Sequence, residues 1–301
     1  MDCSHSHHAP MVAGDKATVN KLKLVLFLVA AYMVAEVIGG LLSGSLALLA
    51  DAGHMISDVG AIGLALFAAW LASQPVSSQN TYGYHRIEIL AALLNGVFLS
   101  LMSLWILYES FQRFWEPEAV EGGLMFWVAL GGLLVNAASV WLLHRDKDQN
   151  LNVRGAYLHI LGDLLGSVGA IIAAGLILQF GWTWADPVAG CLIAVLILFS
   201  AFRLIQEAVA VLLEGSPAHL DVGVIQETVL NLPGVQSVHD LHVWTIATQK
   251  EALSAHVTVD EAAFTPETIT AIQHALKEQF GLSHVTIQIE PPGFEEDEIH
   301  F

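Results

Sequence analysis

Positive charge is what this chain has least of. Eleven Lys and Arg stand against 29 Asp and Glu in 301 residues, a formal net charge of −18, so the basic surface that holds nucleic acid is missing. Cysteine is scarcer still. Of the two, Cys3 falls in an N-terminal tail and Cys191 in an apolar run, where neither can staple a compact domain, and no disulfide is expected. The chain has no GxxxxGK[ST] phosphate loop and no HExxH pair, which argues against a nucleotide-driven pump and against a zincin-type hydrolase. Charge of either sign amounts to only 13% of the residues, whereas 55% are hydrophobic and the mean hydropathy is +0.60. That is too apolar for an ordinary soluble domain.

Apolar runs of about 20 residues, enough to cross about 30 Å of hydrocarbon, recur through the first two thirds of the chain and then stop. They predict an α-helical membrane domain of six transmembrane helices at 22–42, 45–72, 88–112, 124–144, 155–179 and 187–209. The first run follows Lys21 and Lys23, as a signal peptide would, but it is longer than an h-region and no A-x-A site closes it. With the N-terminus in the cytosol, Lys16, Lys21, Lys23, Arg86, Arg145, Lys147, Arg154 and Arg203 lie on or near the cytosolic face and only Arg113 lies outside. Both termini are therefore placed in the cytosol, in a multi-pass protein of the inner (plasma) membrane.

Beyond Glu214 the pattern becomes short and amphipathic. It predicts a helix at 221–231, strands at 235–248 and 251–259, a helix at 266–280 and a strand at 285–290. The order αββαβ describes a small α+β domain of ferredoxin-like type, with two helices on one face of a short sheet and the other face free. Four segments follow: a His-containing tail at 1–20, the membrane domain at 21–210, the cytosolic domain at 211–291 and an acidic tail at 292–301. From Glu214 onward fourteen acids face only Lys250 and Lys277; this is a solvated surface, a negative potential that draws cations to the membrane mouth, or both.

Ionisable residues inside membrane spans are costly and mark functional sites. Here they follow a pattern. LLADAGHMISD in the second span sets His54 and Asp58 four residues apart, and AYLHILGD in the fifth repeats that spacing with His159 and Asp163. On a helix, positions i and i+4 share a face with Cβ atoms about 6 Å apart, so each pair aims an imidazole and a carboxylate at a common point. Two such helices supply two nitrogens and two oxygens. That set suits tetrahedral zinc, with cobalt and cadmium as related guests, and fits octahedral magnesium poorly. The glycines at 53, 60, 63, 162, 166 and 169 are expected to let the two helices approach closely.

The motifs LADAGHMISD, TYGYHRIEILAALLNG, LHILGDLLGS, LLEGSP and VHDLHVW resemble those of the cation diffusion facilitator family, specifically its bacterial zinc-type members, over residues 21–291. The resemblance implies six helices followed by a cytosolic αββαβ domain, in a homodimer that exports zinc from the cytosol in exchange for protons. Zinc is then the transported substrate and a regulatory ligand, protons are the counter-ion, and the cytosolic domains assist dimerisation and metal sensing. No nucleotide or nucleic acid enters. His239 and His256 stand where relatives bind zinc in that domain; a His and an Asp of the last strand correspond here to Gln288 and Glu290, so the candidate set is His239, His256 and Glu290, with surface or sheet-packing histidines as the alternative. Some members also place a metal in the loop after the second span, but the Asp and His they use are absent or replaced around His85.

Secondary candidates remain. Asp51, on the face of His54 and Asp58, is a further ligand, a proton relay or a helix-cap contact. Glu36, Asn95 and Asn136 line the pathway or bond between helices. The competing functions are an intramembrane zinc hydrolase, which lacks a separate general base and a vacant ligand position, and a non-transporting metal sensor. Cys3, His5, His7 and His8 form either a tail that gathers metal or an inert one. If it gathers metal, removing residues 1–13 raises the apparent KM for zinc in a vesicle flux assay; an unchanged KM marks the tail as inert.

Overall fold

The computed structural model of the chain describes residues 16–72, 74, 78–144, 151–247 and 250–294. Cys3, His5, His7, His8, Arg145, Lys147, the acids at 295–298 and His300 lie outside the described residues. Six long helices come first: α1 (Lys16–Ser43), α2 (Leu46–Ala72), α3 (Ile87–Trp115), α4 (Gly122–Leu143), α5 (Leu151–Phe180) and α6 (Ala185–Leu212). Among the described residues, stretches of α1, α3, α4, α5 and α6 are long and apolar enough to cross a membrane. At 1.5 Å per residue the 27 residues of α2 reach about 40 Å, also more than the hydrocarbon core needs.

The apolar stretch of α1 able to cross a membrane, Lys23–Ser43, agrees with the expected span at 22–42, and the helix also takes in the polar residues from Lys16. Hydropathy locates the apolar part of a helix, not its end. Outward faces carry exposed Phe27, Leu101 and Trp127, the surface a lipid-facing helix presents. Inward, Ala47 and Leu48 of α2, Met125 and Ala129 of α4, Ala170 and Ala174 of α5 and Ala185 of α6 form one buried cluster. These side chains are mostly small, which lets helices pack closely where lipid supplies no hydrophobic drive.

The chain divides into two compact units, Met1–Gly60 with Phe98–Ala201 and Ala61–Val97 with Phe202–Phe301. In the first, the N-terminus of α2 is held from a distance. Asp186 at the start of α6 is fully buried; it accepts from the Ser45 hydroxyl at 2.6 Å and from the Leu46 and Ala47 amides at 2.8 and 3.1 Å. A carboxylate there satisfies amides that a helix start leaves unpaired and sits at the positive end of the dipole. Arg113 of α3 completes the cluster, 3.8 Å from Asp186 and donating to the Gly44 carbonyl.

The second unit contains the expected αββαβ domain: α7 (Val222–Leu230), β1 (Val235–Ala247), β2 (Lys250–Val259), α8 (Pro266–Phe280) and β3 (His284–Glu290). Asp221 caps α7 by accepting from the Gly223 and Val224 amides, and Gly281, at φ 72°, closes α8 in the left-handed conformation. The sheet order is β1-β2-β3, antiparallel then parallel. Alternation decides its two faces. Leu253, Ala255, Val257 and Val259 of β2 pack with Ile225 and Val229 of α7 and Ile272 and Leu276 of α8, so His256 faces the side that the helices leave open.

The cap on α2 has a measurable consequence. Asp186→Ala strands the Leu46 and Ala47 amides, which should cost about 2–4 kcal/mol and lower the thermal midpoint in detergent. Asp186→Asn, keeping one acceptor oxygen, should lose less. Three equal midpoints would show that the cluster contributes nothing.

Candidate metal transport site

The repeated pairs meet. His54 Nε2 of α2 lies 3.7 Å from Asp58 Oδ2 and 4.0 Å from Asp163 Oδ1 of α5. His159 Nε2 lies 3.0 Å from Asp58 Oδ2 and 3.7 Å from Asp163 Oδ2. Four ligands about 2.0 Å from a zinc ion stand about 3.3 Å apart at the corners of a tetrahedron, so the observed separations bracket that spacing. The ligand atoms of His54, His159 and Asp163 all lie within 4.8 Å of one another. Asp58 joins through its contacts with both histidines.

Burial is graded across the site. Asp163 is 7% exposed, whereas His159 is 43% exposed; both, with His54, line a cavity of about 630 Å³ between α5 and α6 that reaches Trp184. Asp51 lines the same cavity and is buried. It sits outside the ligand group, and its place well inside α2 removes the helix-cap reading. Behind Asp163, the Ser167 hydroxyl donates to the Asp163 carbonyl at 3.1 Å and the Asn136 amide of α4 reaches Ser167 at 3.5 Å. Asn136 thus bonds between helices and is not among the cavity's lining residues. His54 Nδ1 is buried without a hydrogen-bond partner among the described residues.

The glycines do not act as expected. A Cβ at Gly60, Gly63, Gly162 or Gly169 would meet nothing within 4 Å, so these positions do not draw α2 and α5 together. Gly162 and Gly169 face the cavity instead. Gly53 makes room for Met102 of α3, whose sulfur lies 2.0 Å from where its Cβ would be, and Gly166 alone faces α2, at Asp51.

A second cluster occupies the open face of the cytosolic sheet. His239 and His256 pair across β1 and β2; Glu290 Oε2 lies 3.3 Å from His239 Nε2, and Oε1 lies 3.1 Å from His256 Nδ1. The three ligand atoms are within 4.8 Å of one another. Gln288, also on this face, donates its amide to Glu290 at 2.9 Å and so orients the carboxylate.

Residues 22–213 match the cation efflux transmembrane domain, and residues 217–292 match the cytoplasmic domain of cation efflux proteins. The chain belongs to the cation efflux family. A cadmium, cobalt and zinc/H+-K+ antiporter of Bacillus subtilis is 44% identical over 97% of this chain and 94% of its own. The zinc transporter ZitB of Escherichia coli is 43% identical over 95% and 92%, and the metal cation efflux system protein CzcD of Cupriavidus metallidurans 40% over 96% and 90%. This cation efflux protein is a multi-pass membrane transporter of metal ions and not an enzyme.

Among its described residues, the loop before α3 in this efflux protein gathers no group of metal ligands. Lys250 Nζ donates to His85 Nε2 at 3.1 Å, Tyr82 stands edge-on to His284, and Arg86 pairs with Glu214 at 2.8 Å, a role beyond anchoring topology. His219 pairs loosely with Glu251 at 3.8 Å. The residues missed by sequence reasoning are Asp186 and the charged partner Arg113. The available signal was an ionisable residue at the very start of an apolar run, next to Pro187. Partial burial, then the Lys250 ammonium, hold the His85 imidazole below its ordinary range, with Glu88 opposing. The neutral ring is therefore favoured in the fold, so the loop contact is fully present above about pH 6.5 and is lost at lower pH, as the pH falls through the ring's lowered pKa. Hydrogen-exchange protection at residues 82–86, taken relative to the intrinsic rate at each pH, should fall between pH 7 and 5.5 in wild type and lose this dependence in Lys250→Met; parallel profiles would refute it.

Proposed function

We propose that the chain exports zinc, with cadmium and cobalt as related cargo, from the cytosol in exchange for protons, through His54, Asp58, His159 and Asp163. The observation that carries this reading is two imidazoles and two carboxylates converging from neighbouring membrane helices at separations that suit one tetrahedral ion. The names of the relatives, which state zinc, cadmium, cobalt and proton exchange, support the cargo and the counter-ion.

Coupling follows from the donor atoms. A metal needs neutral imidazole and ionised carboxylate, so protons and metal compete for the same lone pairs. His159 Nε2 faces Asp58 at hydrogen-bond distance; that nitrogen carries a proton or a metal, never both. In an alternating-access cycle zinc enters where protons are few and leaves where they are abundant. The Lys and Arg distribution supports cytosolic termini, the match to a cytoplasmic domain at residues 217–292 supports the same side for the α+β domain, and the family supports a homodimer. In that domain His239, His256 and Glu290 are a regulatory zinc site, with Gln288 as an orienting donor in place of a ligand.

In proteoliposomes an imposed pH gradient should accelerate zinc uptake. Loss of outer partners of metal ligands alone costs about 10–100-fold in affinity, so Asp163→Ala, which removes a ligand, should cut flux by more than about 100-fold. Uptake indifferent to the pH gradient ends the antiport reading.

A further inference from the structure

Apart from the four proposed ligands, the membrane unit buries a carboxyl that the exchange at those ligands does not use. Glu36 of α1 is 1% exposed. No basic side chain among the described residues forms an ion pair with it. Charged and unpaired at that depth, it would be costly. Its neighbours indicate its state. The Tyr32 hydroxyl lies 2.8 Å from the Val128 carbonyl of α4 and 3.3 Å from Glu36 Oε1. A phenol has one hydrogen, and a carbonyl can only accept. When Tyr32 donates to Val128, the contact with Glu36 is a hydrogen bond only if Glu36 donates in turn. Glu36 Oε2 has no donor from the protein, and the acidic neighbour that acts on Glu36 from α2 is Asp51.

We propose that Glu36 is a second proton-carrying station of the exchange, separate from the metal ligands and connected to the transport cavity through Asp51. The inference rests on the antiport reading above and adds to it where part of the proton load resides. The charged and titratable groups facing Glu36 are Tyr32 from its own helix, Asp51 from α2 and, further off, Asp163 from α5; α4 presents only the Val128 carbonyl and, flush against the Tyr32 ring, Gly132. Asp51 lines the cavity that also holds His54, His159 and Asp163, so the path from Glu36 leads to water. When a doubly charged ion arrives, negative charge on the carboxyl pair becomes favourable. The Glu36 O–H bond breaks, the proton passes to the Asp51 carboxylate and from there to water in the cavity. When the ion leaves, the pair takes a proton back by the reverse steps. No electrons move, and each cycle returns both carboxyls to their starting state.

The experiment counts protons released per zinc by titration calorimetry of the full-length protein in buffers of different ionisation enthalpy, alongside pH-dependent flux in proteoliposomes. Glu36→Gln keeps the shape and neutrality of the protonated acid. It should bind zinc at the membrane site, release about one proton fewer per ion than wild type and show a flatter pH dependence of transport. Glu36→Asp, which can still titrate, should restore both. Comparing variants with wild type cancels protons released at the cytosolic cluster. Unchanged proton release in Glu36→Gln overturns the proposal and makes Glu36 a permanently neutral structural acid. Loss of zinc binding in that variant also overturns it, since a neutral isostere should leave the ligands intact. Wild-type flux that ignores the pH gradient would instead bring down the antiport reading itself.

Discussion

Hydrocarbon does not tolerate an unpaired charge, and the membrane unit meets this constraint in three places and three ways. At the tetrad, two carboxylates and two imidazoles converge, and the compensating charge we propose is a divalent cation. At Asp186 a carboxylate is neutralised permanently, by the amides of a helix start and by Arg113. At Glu36 the companion is a proton. The three differ in how readily the compensating charge departs, and that difference separates scaffold from machinery. The Asp186 cluster, with its short bonds to backbone, stays; in the proposed exchange the ion at the tetrad leaves in every cycle.

What was readable beforehand depended on how local the signal was. His54 with Asp58, and His159 with Asp163, announce themselves because the helix puts i and i+4 on one face, and no tertiary knowledge is needed to see it. The αββαβ order was equally plain, since period-two and amphipathic stretches follow one another with clear breaks at Pro233, Gly234 and Gly281. Helix starts were not, because α1 continues through polar residues that hydropathy ignores. The glycines misled for a related reason. Small residues on two helices suggest close approach, but whether they face each other depends on rotation about each axis, and only Gly166 turns toward α2. Asp186 was invisible because its partners at Ser45, Leu46 and Ala47 lie about 140 positions away in sequence.

The cytosolic cluster lies between these cases. The positions of His239 and His256 were legible by resemblance, but the departure at Gln288 reads differently once its neighbours are known. An amide that donates to Glu290 Oε1 holds the carboxylate between two imidazoles without contributing a bond to metal. As a metal site it would offer one donor fewer than a set with an aspartate and an additional histidine, with the same number of carboxylates. Its place on the face left bare by α7 and α8 also leaves room for ligands from outside the domain.

The clamp at the start of α2 limits how the transport helices can rearrange. Ser45, Leu46 and Ala47 are tied to α6 through Asp186, and Gly44 to α3 through Arg113, whereas His54 lies about 12 Å further along the same helix. A rod pinned at one end moves little beside the pin and progressively more with distance from it. A clamp so placed opposes sliding of the start of α2 along α6 and leaves tilting about residues 44–47 as the motion that breaks fewest of these bonds.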